Sequence, residues 1–280
     1  MSRRMRDLLT AELGAVRHEP IDKRIRGRLG DRTVVDSRRA VLVWEPRRIV
    51  PAYAVPEDDV DAEVVAGGGA ADEPPPGVTV PRLEGRPVLD PSVPFAFHTA
   101  PGEPVRLRAR DGAGEVAGFR LRDDALDGHL LVDFAGLDWL EEDEPNVAHP
   151  RDPFHRIDIV HSSRHVRVAL GDVVLAESSR PYLLFEPPLP VRAYLSREDV
   201  DLGLLAPSDT VSWCAYKGRA SYLSAAGAPD VAWVYEAPLR EAAEVAGRVA
   251  FFDEHVDMTV DGRRLQRPVT PWSRPPAPPG

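Results

Sequence analysis

The sequence predicts a mainly β protein made of two tandem antiparallel-sheet domains, each with one short helix. Three observations lead there. A segment of the chain recurs with its order preserved. Short runs of β-branched and apolar residues are punctuated by Gly, Pro and Asp, as strands between tight turns are. With 280 residues, the chain has room for two domains of roughly 100 to 130 residues, each able to bury a core.

The repeat is read directly. Leu29-Gly30-Asp31-Arg32-Thr33-Val34-Val35-Asp36-Ser37-Arg38-Arg39 returns as Leu170-Gly171-Asp172-Val173-Val174-Leu175-Ala176-Glu177-Ser178-Ser179-Arg180, an offset of 141. The same offset relates Trp44-Glu45-Pro46 to Phe185-Glu186-Pro187 and Ala52-Tyr53 to Ala193-Tyr194. Further on, Pro91-Ser92 aligns with Pro207-Ser208 at offset 116, and Gly128 through Leu137-Asp138 with Gly247 through Val256-Asp257 at offset 119. The fall from 141 to 116 assigns about 25 extra residues to the first copy. They belong near 61–88, where Gly67-Gly68-Gly69 and Pro74-Pro75-Pro76 read as a flexible surface insertion. The expected domains are a worn repeat over 1–150, an intact repeat over 151–267 and a Pro-rich, unstructured tail over 268–280.

An amphipathic turn or two near Leu8 to Val16 precedes the first copy. In the second, Val166 to Val168 and Val173 to Leu175 flank Gly171-Asp172 as a hairpin. Tyr182 to Phe185 suits a buried strand closed by Pro187-Pro188. Val191 to Leu195, Val211 to Ala215, Ala220 to Leu223, Val231 to Tyr235 and Val249 to Phe252 continue the series. The helix runs from Pro238 through Leu239, Ala242, Ala243 and Ala246 to Gly247, with Asp123 to Gly128 as its shorter twin.

Composition narrows the partners. A net charge of -10 opposes a surface built to neutralise phosphate backbones, so no nucleic acid is expected. No apolar run approaches the roughly 20 residues that span a bilayer, so no membrane is expected either. Cys214 is the only cysteine, which excludes an intramolecular disulfide and a Cys-based zinc site within one chain. Asp7 and Glu12 interrupt the N-terminal apolar stretch, which lacks the core of a signal peptide. A cytoplasmic location is the expectation. Nothing in the sequence fixes an oligomeric state.

The densest chemistry lies in Trp213-Cys214-Ala215-Tyr216-Lys217-Gly218, followed by Tyr222 and by Trp233-Val234-Tyr235-Glu236. Of the 35 basic residues only Lys23 and Lys217 are lysine, so Lys217 stands out in an arginine-rich chain. The first copy has Phe97-His98-Thr99-Ala100-Pro101-Gly102 there, and Gly118-Phe119 in the stretch opposite Trp233-Val234. A partly buried lysine among aromatic rings serves as a base or nucleophile if its pKa is depressed, or holds an anionic ligand if it is not. Lys-Gly is also an ordinary exposed turn, and aromatic strands are ordinarily core. Glu45 and Glu186 end equivalent strands, each six residues after an arginine, Arg39 or Arg180, and an Arg–Glu pair bracing adjacent strand ends explains both. His149, His155, His161 and His165 lie in a polar connector. His161 and His165 are four apart near a strand, too far to chelate together as they would on a helix, and no metal is expected. No phosphate loop, nucleophile elbow or paired zinc-binding histidine motif is present, and no cofactor is expected.

Ser163-Arg164-His165-Val166-Arg167-Val168, Ala176-Glu177-Ser178-Ser179-Arg180-Pro181, Leu184-Phe185-Glu186, Arg192-Ala193-Tyr194, Asp199-Val200, Tyr216-Lys217-Gly218, Ala232-Trp233-Val234-Tyr235 and Gly247-Arg248-Val249-Ala250-Phe251 together resemble the bacterial domain of unknown function 427 family. The connector His149-Pro150-Arg151-Asp152-Pro153-Phe154-His155 is similar to the linker of tandem actinobacterial members. The resemblance implies a β-tent-like fold, in which sheets lean together and can enclose a small ligand. Some members carry a nucleotidyltransferase label, but the paired carboxylates that hold magnesium on a triphosphate are not evident here.

Three functions follow as expectations. In the first, the second repeat binds a small molecule in an aromatic pocket of Trp213, Tyr216, Tyr222, Trp233 and Tyr235, with Arg192 among the ligand-binding residues and Lys217 and Glu186 as polar anchors. In the second, an enzyme acting on a small molecule or nucleotide uses Lys217 and Glu186 catalytically. In the third, the chain is a structural or interaction protein and its aromatic residues are core.

Overall fold

A computed structural model describes residues 2, 4, 7–8, 11–68, 75–76, 78, 80–83, 85–112, 114–187 and 189–273. The chain divides into two units, residues 1–81 with 87–153, and residues 82–86 with 154–280. Each contains one seven-stranded and one four-stranded sheet.

In the first unit the larger sheet runs Arg17–Pro20, Val41–Trp44, Ala52–Pro56, His129–Val132, Glu115–Leu121, Gly102–Arg108, Glu63–Ala66. In the second it runs Asp158–His161, Tyr182–Phe185, Arg192–Leu195, Val249–Phe251, Ala228–Val234, Gly218–Ala225, Leu205–Cys214. The smaller sheets are Arg32–Ser37, Ile25–Leu29, Asp138–Glu141, Glu144–Asn146 and, in the same order, Val173–Ser178, Val166–Leu170, Asp257–Val260, Arg263–Arg264. The strand order therefore matches position by position between the units.

Local details repeat as well. The hairpin turns at Gly30 and Gly171 have φ of 58° and 60°, a left-handed conformation glycine adopts without penalty and two-residue hairpins require. Each following ladder carries a bulge, at Gly27/Arg28 and at Val168/Ala169. Gly27 and Val168 are again 141 apart, so the two units share an irregularity of the backbone at corresponding positions.

Sheet register corrects the alignment after the insertion. Val105 pairs with Ala66 and Gly118, and Leu223 pairs with Pro207 and Ala232. Ala66 and Pro207 keep the offset of 141, whereas Val105 and Leu223 are 118 apart. Pro91-Ser92 therefore has no structural tie to Pro207-Ser208. Part of the expected flexible insertion, 69–74 with 77 and 79, lies outside the described residues. Its far end is packed: Leu89, Val93 and Phe97 form a small core with Val78 and Val80. The buried Arg48 guanidinium donates to the carbonyls of Val93, Pro94 and Phe97 at 3.1, 2.6 and 2.6 Å.

The expected helices are 3-10 turns. Arg240–Val245 is broken at Ala242 (φ -120°), and Asp124–Leu126 is its twin. Leu239, Ala242 and Val245 recur every third residue with Ala242 and Val245 buried, a period that suits three residues per turn. Among the described residues each unit has three such short turns. Near the N-terminus Asp7 and Leu8 are α-helical, with the Leu8 N–H donating to the Arg4 carbonyl at 3.3 Å, and residues 11–14 form a turn.

The central strands of the second unit's large sheet are buried on both faces, and strand alternation sorts the side chains. Leu195, Ala232, Val234, Val249 and Phe251 pack with Val166, Val168 and Met258 of the small sheet. Tyr194, Trp233, Ala250 and Phe252 go to the opposite face, with Leu184, Tyr235, Ala242 and Val245. The site grows from this second face. Part of the tail expected to be unstructured joins it, because Thr270 is buried and the Trp272 ring lies 6.4 Å from Phe252; residues 274–280 lie outside the described ones. No helix among the described residues is long and apolar enough to cross a membrane.

Candidate functional site

Glu186 follows the strand Tyr182–Phe185, and Lys217 sits in the connection between Leu205–Cys214 and Gly218–Ala225. Two features fix that connection. Gly218 has φ +88°, and a Cβ on it would meet Leu239 at 3.3 Å. The Lys217 carbonyl accepts the Leu239 N–H at 3.1 Å. The lysine side chain is thereby turned inward, and both Lys217 and Glu186 are 8% exposed. Nζ donates to the two carboxylate oxygens at 2.6 and 2.5 Å. His155 Nε2 donates to Oε1 at 3.0 Å, and its ring stacks on Tyr216 with centroids 4.1 Å apart.

Burial alone would raise the Glu186 pKa, but the charge of Lys217 and the hydrogen bonds from His155 and Lys217 outweigh it and hold the carboxyl at about 2. Burial would likewise lower the pKa of Lys217, yet Glu186 raises it above the ordinary lysine range. The amine is thus held protonated, the reverse of the depressed pKa that a lysine base or nucleophile requires. Tyr194, which is pushed up to about 12 by burial, links this pair to the aromatic cluster by accepting the Trp233 indole N–H at 3.1 Å.

Trp233 meets Phe252 at 4.5 Å, and Phe252 stacks on Tyr222 at 6.1 Å. The Tyr222 hydroxyl is hydrogen-bonded to that of Ser212 at 2.7 Å. Arg192 lies 5.6 Å from the Trp233 ring, but its charge goes to Glu254 in a bidentate pair of 2.9 and 2.6 Å, with Asp253 at 3.4 Å. Thr270 Oγ1 donates to Glu254 at 2.5 Å.

Of the residues singled out from sequence, the structure joins Lys217, Glu186 and Tyr216 in one polar cluster. Trp233, Tyr235 and Tyr222 belong to the adjoining aromatic cluster. Arg192 belongs to a separate ion network. Trp213 is not brought in: it lies on the sheet's edge strand, is 55% exposed and pairs with Arg219. The Arg–Glu pairs expected at Glu45 and Glu186 do not form. Arg39 takes Asp59 and Arg180 takes Glu198 and Asp199, because the 3-10 turns Glu57–Asp59 and Arg197–Asp199 bring these carboxylates to the arginines. His161 packs against Tyr182 and His165 binds Glu177. Sequence reasoning read His155 as part of a polar connector and missed Tyr194, Asp253 and Glu254. The adjacent acids following the apolar run Val249 to Phe252 were the available signal for the last two.

The first unit solves the same problem differently. Glu45 accepts His98 Nδ1 at 3.0 Å and the backbone N–H groups of Thr99 and Ala100 at 2.9 and 3.1 Å. His98 stacks on Phe119 at 3.9 Å. Backbone N–H groups of Thr99 and Ala100 thus take the part at Glu45 that the Lys217 ammonium takes at Glu186.

Residues 158–262 match the family model described as a domain of unknown function (DUF427). The second repeat is where the similarity to DUF427 lies. Comparison with curated proteins gives no match. The matched segment contains Glu186, Arg192, Lys217 and the aromatic cluster, whereas His155 and Thr270 reach it from just outside.

Asp253 carries a consequence of this packing. Burial and the nearby Glu254 charge raise its pKa, Arg192 lowers it, and the balance stands at about 6. An acid whose pKa is raised on folding stabilises the fold below its unfolded pKa and loses that contribution as pH rises through the folded value. Asp253→Asn is therefore expected to stabilise the chain by about 1–2 kcal/mol at neutral pH and to flatten the stability profile between pH 4 and pH 6, roughly the two pKa values. Urea melts across that range check it. Equal slopes in both proteins would refute it.

Proposed function

We propose that the second repeat is a small-ligand-binding module, with Tyr216, Tyr222, Trp233 and Tyr235 as aromatic walls and Lys217 and Glu186 as polar anchors. One observation carries this reading. The strand-end carboxylate of the first copy is satisfied by an imidazole and two backbone N–H groups, so the scaffold closes without a lysine. Burying an ammonium and a carboxylate together costs several kcal/mol of desolvation per ion, roughly what their attraction returns. Stability does not account for Lys217. An ammonium already aimed and desolvated beside flat rings suits the polar end of a small aromatic or anionic ligand.

Two features favour binding over nucleotidyl transfer. The protonated state of Lys217 opposes its use as a base, and the neighbouring carboxylates Asp253 and Glu254 are engaged by Arg192 rather than left for magnesium. The test is a thermal-shift screen of the intact chain against a metabolite and nucleotide panel. A ligand that raises the melting temperature of the wild type and of Lys217→Arg, but not of Lys217→Met, supports an anchor acting through charge. A silent panel, or a shift that Lys217→Met preserves, overturns the reading.

A further inference from the structure

Glu186 has both oxygens on Lys217, and His155 adds a third hydrogen bond, to Oε1. That contact also acts in the other direction, from carboxylate to imidazole. An ionised carboxylate only accepts, so the nitrogen facing it, Nε2, carries the proton. When the ring is neutral its lone pair is therefore on Nδ1. Nδ1 makes no hydrogen bond among the described residues, and the His155 side chain is 20% exposed. The Tyr216 stack at 4.1 Å and 22° holds the ring plane. His98 of the first unit is the contrast: it turns Nδ1 to its glutamate, is 11% exposed and lies flat on Phe119.

We propose that His155 is a nucleophilic imidazole, oriented by Glu186 and presented beside Tyr216, that accepts the acyl group of a small activated ester. A buried carboxylate that fixes the tautomer, with the other ring nitrogen unbonded among the described residues, is the orienting half of a carboxylate–histidine dyad. In the step, Nδ1 attacks the ester carbonyl carbon and the carbon–oxygen bond breaks, the alkoxide or phenolate leaving with the electron pair. The acyl-imidazolium keeps its Nε2 proton on Glu186, which stabilises the new positive charge. Water then attacks the acyl carbon, giving the carboxylate, releasing two protons to solvent and restoring the Nδ1 lone pair. The inference shares Glu186 and Lys217 with the binding reading but requires no ligand of that site.

The probe is p-nitrophenyl acetate with the full chain. His155→Gln keeps a donor for Glu186 and removes the lone-pair nitrogen. It is expected to lower p-nitrophenolate release at least tenfold with little change in melting temperature, and Glu186→Gln to lower it as well. In the wild type, brief diethyl pyrocarbonate treatment followed by peptide mass spectrometry is expected to find His155 modified first of the eight histidines. An unchanged rate in folded His155→Gln overturns the proposal. So does a wild type in which His155 resists the reagent while other histidines react, a result independent of any variant's folding. A positive ester assay beside a silent metabolite panel would remove the binding reading and leave this one standing.

Discussion

Lys217→Met is expected to destabilise the chain by about 3–5 kcal/mol at neutral pH, the loss typical when one partner of a buried ion pair is removed. The methionine fills much of the lysine's volume, so the cost comes chiefly from Glu186, left charged and desolvated with His155 as its remaining partner. The pH dependence has a definite sign. In the wild type the Glu186 pKa falls from 4.5 to about 2 on folding, so its contribution is complete above the unfolded pKa and lost as pH falls through about 2. Lys217 is raised from 10.5, so its contribution is complete below that value and lost as pH rises through the higher folded pKa. The pair is fully stabilising between those limits. Without the lysine, Glu186 reverts to a buried acid with a raised pKa, and the deficit shrinks on acidification as the carboxyl protonates. Denaturant melts of both proteins from about pH 4 to pH 9 measure this. A pH-independent deficit would mean that packing, not charge, was lost.

Arg192→Met is expected to be about as costly, again about 3–5 kcal/mol at neutral pH. It strips the cation from Asp253 and Glu254 together and removes a guanidinium 5.6 Å from Trp233. Asp253 already sits at about 6 with the arginine present, and Glu254 is held below its ordinary value through Arg192 and Thr270 despite burial. Removing Arg192 moves both upward. The variant should therefore recover much of its stability as pH is lowered toward about 5, more steeply than the wild type, because two carboxyls take up protons on folding rather than one. Urea midpoints at acidic and neutral pH decide it, and a loss equal at both would assign Arg192 a packing role alone.

The fold was largely legible because its signals are local. Hairpin glycines, two-residue alternation and strand-ending prolines are properties of neighbouring residues, and the chain carries them twice in the same order. Lys217 with Glu186 was also legible, since a lysine in an arginine-rich chain and a glutamate repeated at equivalent strand ends each stood out. What escaped depends on distant register. Arg192 finds Glu254 across 62 residues, and His155 finds Glu186 across 31 from a connector without periodicity. Trp213 was misjudged because an edge strand sends alternate residues outward, and sequence alone did not say which. The Pro-Ser coincidence at 91 and 207 misled the alignment after the insertion, since Ala66 rather than Pro91 holds the strand position of Pro207.

The claim that Lys217 and Glu186 are retained for a ligand rather than for the scaffold is tested most directly by the double variant Lys217→Met/Glu186→Leu. Replacing a whole buried ion pair by apolar residues of similar volume is often neutral, or stabilising by about 1–4 kcal/mol. Its unfolding free energy in urea is expected to equal or exceed that of the wild type. A double variant that fails to fold, or that loses several kcal/mol, would show that the pair holds the domain together and would contradict the account.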